Sequence, residues 1–366
     1  MHEIEEIIDE IGKRNHNAPN HWELLDLNNL QFDKPTVLCL CGSATTTNKI
    51  ANGFAKQAET YLDLMFAPKQ DYHTLDHVDI IGVKYNRTGT LNIRTKDLLT
   101  DALCALLVDQ NGQRLDLETA KKNMSRVCFF TFCGGNKELQ SLINQLNEKL
   151  VKLGYKNEEI YAINNASLEV AYAPQSVIYN RIPSVRIISK KDEVNSFVHF
   201  MALEAGGVLT QEQMQNLDGI YLHEDKPGSL NGIKNDISTP FLVGFPADTT
   251  TAGSIQIISS GLLNTYDGRF DEHSVKITAR DQDWQINPTV INDVAYHSPN
   301  ADCVSQMMAW ALCKGVENGI QNFTSKKYIP NTYWNEMMDD LQSIINSYQQ
   351  QKLSRKQAQQ ETDLEK

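Results

Sequence analysis

The six residues from Val127 to Phe132, with the sequence VCFFTF, constrain the fold of this chain more than any other stretch. Apolar and polar residues do not alternate along them, which is typical of a strand covered on both faces, as in a parallel sheet. The turn Cys133-Gly134-Gly135 follows, and the next residues carry apolar side chains at the three- and four-residue spacing of one helix face. That face consists of Leu139, Leu142, Ile143, Leu146 and Leu150. The stretch predicts an interior strand, a sharp turn and a helix.

Strand-like and helical patterns alternate through the first half of the chain. Besides the interior strand, strands are predicted at 36–41, 78–85, 160–164 and 185–189. Because strands that alternate with helices favour parallel pairing, we expect an α/β fold with a mainly parallel sheet and helices on both faces.

A chain of 366 residues can form one large domain with a sizeable insertion, and we place that domain at residues 1–350. The spacing of the isoleucines between Ile4 and Ile11 predicts a short amphipathic helix at its start. Residues 199–290 contain several turns rich in Gly, Asn and Asp, and we interpret them as an insertion or cap over one end of the sheet. We expect the polar tail at 351–366 to be disordered.

Charge and cysteine content exclude some classes of partner. The net charge of -12 argues against nucleic acid or an anionic membrane surface as the main partner. A membrane span needs about 18 or more consecutive apolar residues, and the chain has no such run. The seven cysteines are odd in number and include no zinc-like pair. They predict a reducing, cytoplasmic location, with Cys39 and Cys41 as small core residues of one strand.

An alternative location follows from composition. The abundance of Asn, Gln and Lys, together with the polar C-terminus, is similar to that of bacterial effectors delivered into a host cytosol. A host protein would then be a partner.

Three segments of the chain resemble the α/β-hydrolase superfamily. That family places its nucleophile on a strand–turn–helix elbow, usually G-x-S-x-G, and the corresponding residues here are TFCGG from Thr131 to Gly135. Its acid follows a later strand, as Asp192 does in SVRIISKKDEV, and its histidine precedes the last helix, as His297 does in DVAYHSPNADCVSQMMAWAL. The order nucleophile, acid, histidine is also the family's order. The family has a small residue at the position of Thr131.

The resemblance implies a hydrolase or acyltransferase that acts on an ester, thioester or amide through a Cys-His-Asp triad. Cys133 would be the nucleophile, and His297 would accept its proton and later return it to the leaving group. Asp192 would fix the tautomer of the imidazole.

Two backbone donors would stabilise the oxyanion under this interpretation. One is the N–H of Gly134, and the other lies in the turn around Ser43 and Ala44. The chemistry calls for no cofactor and no metal, and the substrate would be a small or acylated molecule. His73 and His77 are weaker candidates for metal ligands, because no third cluster of ligands accompanies them.

Each of these residues also has an ordinary structural interpretation. Cys133 could be a core residue at a strand end, Asp192 a helix N-cap, and His297 a turn residue. The alternative function is a non-catalytic binding protein on the same scaffold, with an anion or phosphate near residues 42–47 at a helix N-terminus. Capping by Ser and Thr would explain that segment equally well.

Overall fold

The described part of the chain consists of several separate ranges. The computed structural model describes residues 8–42, 45, 47–66, 74–86, 90–172, 182–189 and 303–330, strands between 217 and 286, and positions 350, 354 and 357. The prediction for the tail at 351–366 therefore lies almost entirely outside the described residues.

The described strands number fourteen. They are β1 Glu10–Arg14, β2 Trp22–Leu25, β3 Thr36–Leu40, β4 Asp79–Lys84, β5 Val127–Phe132, β6 Leu168–Tyr172, β7 Ser184–Ser189, β8 Leu217–Asp218, β9 Leu242–Val243, β10 Ile255–Ser259, β11 Leu262–Leu263, β12 Phe270–Asp271, β13 Val275–Ala279 and β14 Gln282–Ile286.

Helices lie between these strands and after the last of them. They are α1 Asn48–Phe66, α2 Thr74–His77, α3 Ile93–Ala105, α4 Leu117–Met124, α5 Gly135–Lys152, α6 Asn157–Asn164 and α7 Cys303–Thr324, with short 3-10 turns at Pro19–His21 and Leu27–Asn29. None of the described helices is long and apolar enough to cross a membrane.

The main sheet is mixed and mostly parallel. Within the described residues its order is β2-β1-β4-β3-β5-β6-β7-β10-β13-β14. Within the group of five central strands, β3 to β7, every pair of neighbouring strands is parallel. β1 pairs antiparallel with both β2 and β4, so this hairpin forms one end of the sheet. A mostly parallel sheet with helices is an α/β architecture, as the sequence predicts.

β5 is an interior strand, and this prediction is confirmed. Phe130 is paired with Cys39 of β3 on one side and with Val170 of β6 on the other. The adjacent Phe129 belongs to the buried cluster that contains the apolar face of α5. Phe130 stacks on Phe54 of α1, with 4.6 Å between ring centroids. Because successive strand residues point to opposite faces, helices cover both faces of β5, which explains why its sequence does not alternate.

The side on which successive parallel strands are added to the sheet changes between β3 and β5. After β3 the chain adds β4 on one side of it, whereas β5, β6 and β7 are added on the other side. The carboxyl ends of β3 and β5 therefore border a topological switch point, where open α/β sheets bind their ligands.

Part of the segment 199–290 extends this sheet. β10 pairs parallel with β7, and β13 and β14 continue antiparallel beyond it. Two short antiparallel strand pairs, β8 with β9 and β11 with β12, also lie in the segment. The remainder lies outside the described residues, so the interpretation as a cap stays a prediction.

The strand predicted at 160–164 is wrong, because these residues belong to α6. The backbone N–H of Lys156 donates to Glu159 Oε2 at 2.8 Å at the start of this helix, and Glu158 adds a second acidic side chain in its first turn. Ile160 and Ile163 are both buried at the three-residue spacing of one helix face. The strand lies further on, as β6.

The predicted N-terminal helix is also wrong over the residues that can be compared. Ile11 lies in β1, where it pairs with Leu25 of β2 and Val83 of β4. Pairing with a strand on each side outweighs the local three- and four-residue spacing. Residues 1–7 lie outside the described residues.

Candidate active site

Cys133 occupies the turn between β5 and α5 in a left-handed backbone conformation. Its φ is 53°, and among the described residues only Asn20 and His21 are further non-glycine residues with positive φ. For an L-residue this conformation costs about 1–2 kcal/mol, because Cβ approaches the following carbonyl. Surrounding structure must hold such a residue in place, and strained residues of this kind cluster at functional sites.

Gly42, two residues beyond β3, gives the thiol its space. A Cβ on Gly42 would lie 3.0 Å from the Cβ of Cys133 and 3.4 Å from its sulfur. Contacts this short are tighter than ordinary van der Waals contact, so a side chain at position 42 would crowd the thiol. The segments that follow β3 and β5 therefore meet at the switch point of the sheet.

Gly134 is the N-cap of α5, one residue after Cys133. Its carbonyl oxygen accepts hydrogen bonds from the backbone N–H groups of Lys137 at 3.0 Å and Glu138 at 3.2 Å, which begins the helix at this point. The thiol consequently precedes the positive end of an 18-residue helix. Negative charge on sulfur, or on an oxygen bound there, is stabilised at such an end.

Tyr85 anchors the loop that follows β3. Its hydroxyl donates to the carbonyl oxygen of Cys41 at 2.8 Å, and its backbone N–H donates to the carbonyl oxygen of Thr45 at 2.8 Å. The side chain is buried, and burial raises the pKa of this phenol well above its usual value. Tyr85 therefore remains neutral and acts as a hydrogen-bond donor that holds the loop beside Cys133.

Asp9 anchors the loop after β4 in a similar way. It is buried, and its carboxylate accepts hydrogen bonds from the backbone N–H groups of Asn86 at 2.7 Å and Asn92 at 2.6 Å. Its own N–H donates to Thr95 Oγ1 at 3.0 Å. The loops after β3 and β4 are thus both fixed by buried polar groups at the carboxyl ends of the strands.

Burial affects the acidity of four other described thiols. Burial raises the pKa of Cys39, Cys41, Cys104 and Cys128, so these thiols stay protonated at neutral pH. Cys39 and Cys41 are core residues, as predicted. Among the cysteines with described burial, only Cys133 and Cys104 are partly exposed, and Cys104 lies inside a regular helix.

Four of the six predicted site residues lie outside the described residues: Ser43, Ala44, Asp192 and His297. Of the predicted set, the structure therefore places only Cys133 and Gly134, which are adjacent on the elbow. The predicted roles of the other four residues stay predictions.

Residues 42–47 were the candidate anion site. The hydroxyl of Thr45 donates to the carbonyl oxygen of Gly42 at 2.7 Å, and Thr47 Oγ1 accepts from the N–H of Ile50 at 3.3 Å. These are the bonds of a turn and of a helix start, as ordinary capping predicts. Over the described part of the chain, no group of three or more His, Cys, Asp or Glu side chains could hold a metal ion; His73 lies outside that part.

Sequence reasoning missed the polar residues that support the elbow. Tyr85 and Glu169 were not singled out, and Gly42 was considered only as part of the candidate anion site at 42–47. Only Glu169 carried a signal that could have been used, since it is a lone carboxylate within the otherwise apolar run of β6.

Comparison with models of known protein families gave no match, and comparison with curated proteins also gave none.

Proposed function

We propose that this protein is a hydrolase or acyltransferase of the α/β-hydrolase kind, with Cys133 as its nucleophile. The observation that carries the proposal is the left-handed conformation of Cys133 at the carboxyl end of an interior parallel strand, immediately before a helix. A strained strand-to-helix turn of this kind presents a nucleophile above the sheet in the resembling family.

The position of the turn supplies independent support. Cys133 and Gly42 follow the two strands that border the switch point, which is where ligands of α/β sheets lie. A core cysteine would need neither a strained backbone nor a glycine opposite its sulfur.

The proposed reaction is acyl transfer. The thiolate of Cys133 attacks the carbonyl carbon of an ester, thioester or amide, and the carbonyl electron pair moves onto oxygen. The N–H of Gly134 donates to that oxyanion, with a second donor in the turn around Ser43 and Ala44. When the oxyanion collapses, the bond to the leaving alcohol, thiol or amine breaks and the acyl group remains on sulfur.

Proton transfer is assigned to His297 and Asp192. His297 takes the thiol proton and delivers it to the leaving group, and then activates water or another acceptor that releases the acyl group. Asp192 holds the imidazole in the tautomer that this transfer requires. The order of these residues along the chain supports the assignment.

Labelling of the full-length protein tests the proposal. Iodoacetamide should alkylate Cys133 faster than Cys104, because only Cys133 lies on the elbow, and mass spectrometry of peptides measures both rates. Incubation with p-nitrophenyl esters and acyl thioesters should leave an acyl group on Cys133.

Substitutions complete the test. Cys133→Ala should abolish turnover of any ester or thioester that the native protein cleaves, whereas Cys104→Ala should retain it. Full turnover by Cys133→Ala, or alkylation of Cys133 no faster than that of Cys104, would show that the chemistry lies elsewhere.

A further inference from the structure

Glu169 places a carboxylate inside the sheet, beside the elbow strand. It is the second residue of β6, is fully buried, and is paired with Phe129 of β5 in the parallel ladder. A buried carboxylate costs free energy unless hydrogen bonds compensate for its lost hydration. The groups that bond to it therefore indicate why it is there.

Two side chains donate to the same carboxylate oxygen. Thr131 Oγ1 lies 2.7 Å from Glu169 Oε1, and Asn136 Nδ2 lies 2.6 Å from it. Both donors are fully buried. Thr131 precedes Cys133 by two residues in β5, and Asn136 follows it by three residues in the first turn of α5. One oxygen atom therefore binds both arms of the elbow.

We propose that Glu169 is a positioning residue for Cys133, because its bonds to Thr131 and Asn136 hold the elbow in the conformation that presents the thiol. The inference rests on the proposed role of Cys133 as nucleophile. It also gives a physical reason for Thr131, which stands where the resembling family has a small residue: the hydroxyl is needed as a donor to Glu169.

The strain at Cys133 explains why such a connection is needed. A residue in the left-handed region relaxes to an ordinary conformation unless its neighbours are fixed on both sides. The hydrogen-bonded strand pairs fix the backbone of Glu169, since β6 is paired with β5 on one side and with β7 on the other. The carboxylate transmits that rigidity to the entry and the exit of the turn.

Thr131→Val tests the proposal, because valine keeps the shape of threonine and removes the hydroxyl. With one arm released, the thiol should leave the helix N-terminus, which stabilises its thiolate. We expect alkylation of Cys133 by iodoacetamide at pH 7 to slow by about tenfold. We also expect the pH at which the alkylation rate is half its maximum, the pH midpoint, to move upward. Thr131→Ser, which restores the hydroxyl, should recover both values.

Ser167→Ala is the matched control. The buried hydroxyl of Ser167 donates to the carbonyl oxygen of Val127, so it also connects the β6 region to β5, but at the opposite end of the strand. Loss of this bond should lower stability while leaving the alkylation rate and pH midpoint of Cys133 unchanged. A shift shared by Ser167→Ala and Thr131→Val would mean general loosening and would overturn the positioning role.

Glu169→Gln provides a second test in case Thr131→Val does not fold. Its neutral carbonyl oxygen accepts both hydrogen bonds more weakly, so the same changes should appear with smaller size. A native alkylation rate and midpoint in Glu169→Gln would overturn the inference while leaving the proposed function intact. Failure of the proposed function looks different, since Cys133 of the native protein would then react no faster than Cys104.

Discussion

The backbone of Gly135 lies against the carbonyl group of Leu40, so closely that a Cβ on Gly135 would stand 1.8 Å from the carbonyl oxygen. This contact joins the first residue of α5 to the last residue of β3. The exit of the elbow is thus held by two neighbouring strands, by β3 through Leu40 and by β6 through Glu169. Gly135 stands at the second glycine of the G-x-S-x-G pattern of the resembling family, and here packing requires a glycine.

Gly135→Ala should be strongly destabilising. The added methyl group overlaps backbone atoms, which cannot rotate away as a side chain can, so α5 or β3 must shift. We expect a loss of roughly 2–3 kcal/mol in the free energy of unfolding, together with slower alkylation of Cys133. Urea denaturation and site-resolved labelling measure the two effects.

Gly53→Ala is the control for this substitution. Gly53 also lies in a helix, but a Cβ there meets nothing within 4 Å. Alanine should stabilise α1 by about 0.5–1 kcal/mol, since glycine is the poorer helix former. Equal effects of the two substitutions would contradict the proposed role of the Leu40 contact.

The backbone of Cys133 makes a prediction about glycine and alanine at the same position. Glycine adopts positive φ without a steric penalty, whereas alanine retains the penalty of an L-residue. Cys133→Gly should therefore be more stable than Cys133→Ala by about 1 kcal/mol in thermal or urea unfolding.

Cys128, in the regular part of β5, should show the reverse order. There Cys128→Gly should be less stable than Cys128→Ala, because glycine weakens a strand interior. If the alanine variant were more stable than the glycine variant at both positions, residue 133 would not adopt the left-handed conformation.

The sequence predicted the elements of the elbow because their signals are local. The unbroken apolar run of β5 and the leucine spacing of α5 each report the burial of one element. The short apolar run at 160–164 permits both a strand and a helix, and the bond from the N–H of Lys156 to Glu159, at the helix start, favours the helix.

The support of the site could not be predicted from local patterns. A positive φ at Cys133 is not encoded by residue type, since cysteine rarely adopts it. The bonds of Glu169 join residues 38 and 33 positions apart in the chain, and Tyr85 bonds to a residue 44 positions away. Only the order of strands in the sheet brings these residues together.

The hairpin of β1 and β2 depends on a buried ion pair with α1. Arg14 donates to Glu59 Oε2 from Nε at 2.9 Å and from Nη2 at 2.6 Å, and both residues are buried. Arg14→Met would leave the charge of Glu59 buried without this partner. We expect a loss of about 3–5 kcal/mol in the free energy of unfolding.

The double substitution Arg14→Met with Glu59→Met should recover much of that loss, since it removes both buried charges. A double-mutant cycle by urea denaturation measures the coupling. Strict additivity of the two single effects would show that the pair contributes nothing beyond packing.

The buried thiols predict a loss of stability in alkali. Burial raises the pKa of Cys39 well above its usual value, whereas the same thiol in the unfolded chain ionises near pH 8.5. Above about pH 8.5 the unfolded state therefore binds fewer protons than the folded state, and the free energy of unfolding falls as pH rises. Below that pH both states keep the proton and the thiol contributes no pH dependence.

Differences between variants isolate this effect from other titrating groups. Cys39→Ala removes the buried thiol, so its deficit in stability relative to the native protein should shrink above pH 8.5 by up to about 1.4 kcal/mol per pH unit. Val37→Ala, at a buried apolar residue of the same strand, should keep a constant deficit. Urea denaturation between pH 7 and pH 10, with a reductant present, gives both values. A deficit of Cys39→Ala that does not change with pH would show that the thiol ionises equally easily in the folded protein, and hence that β3 is open to water at this position.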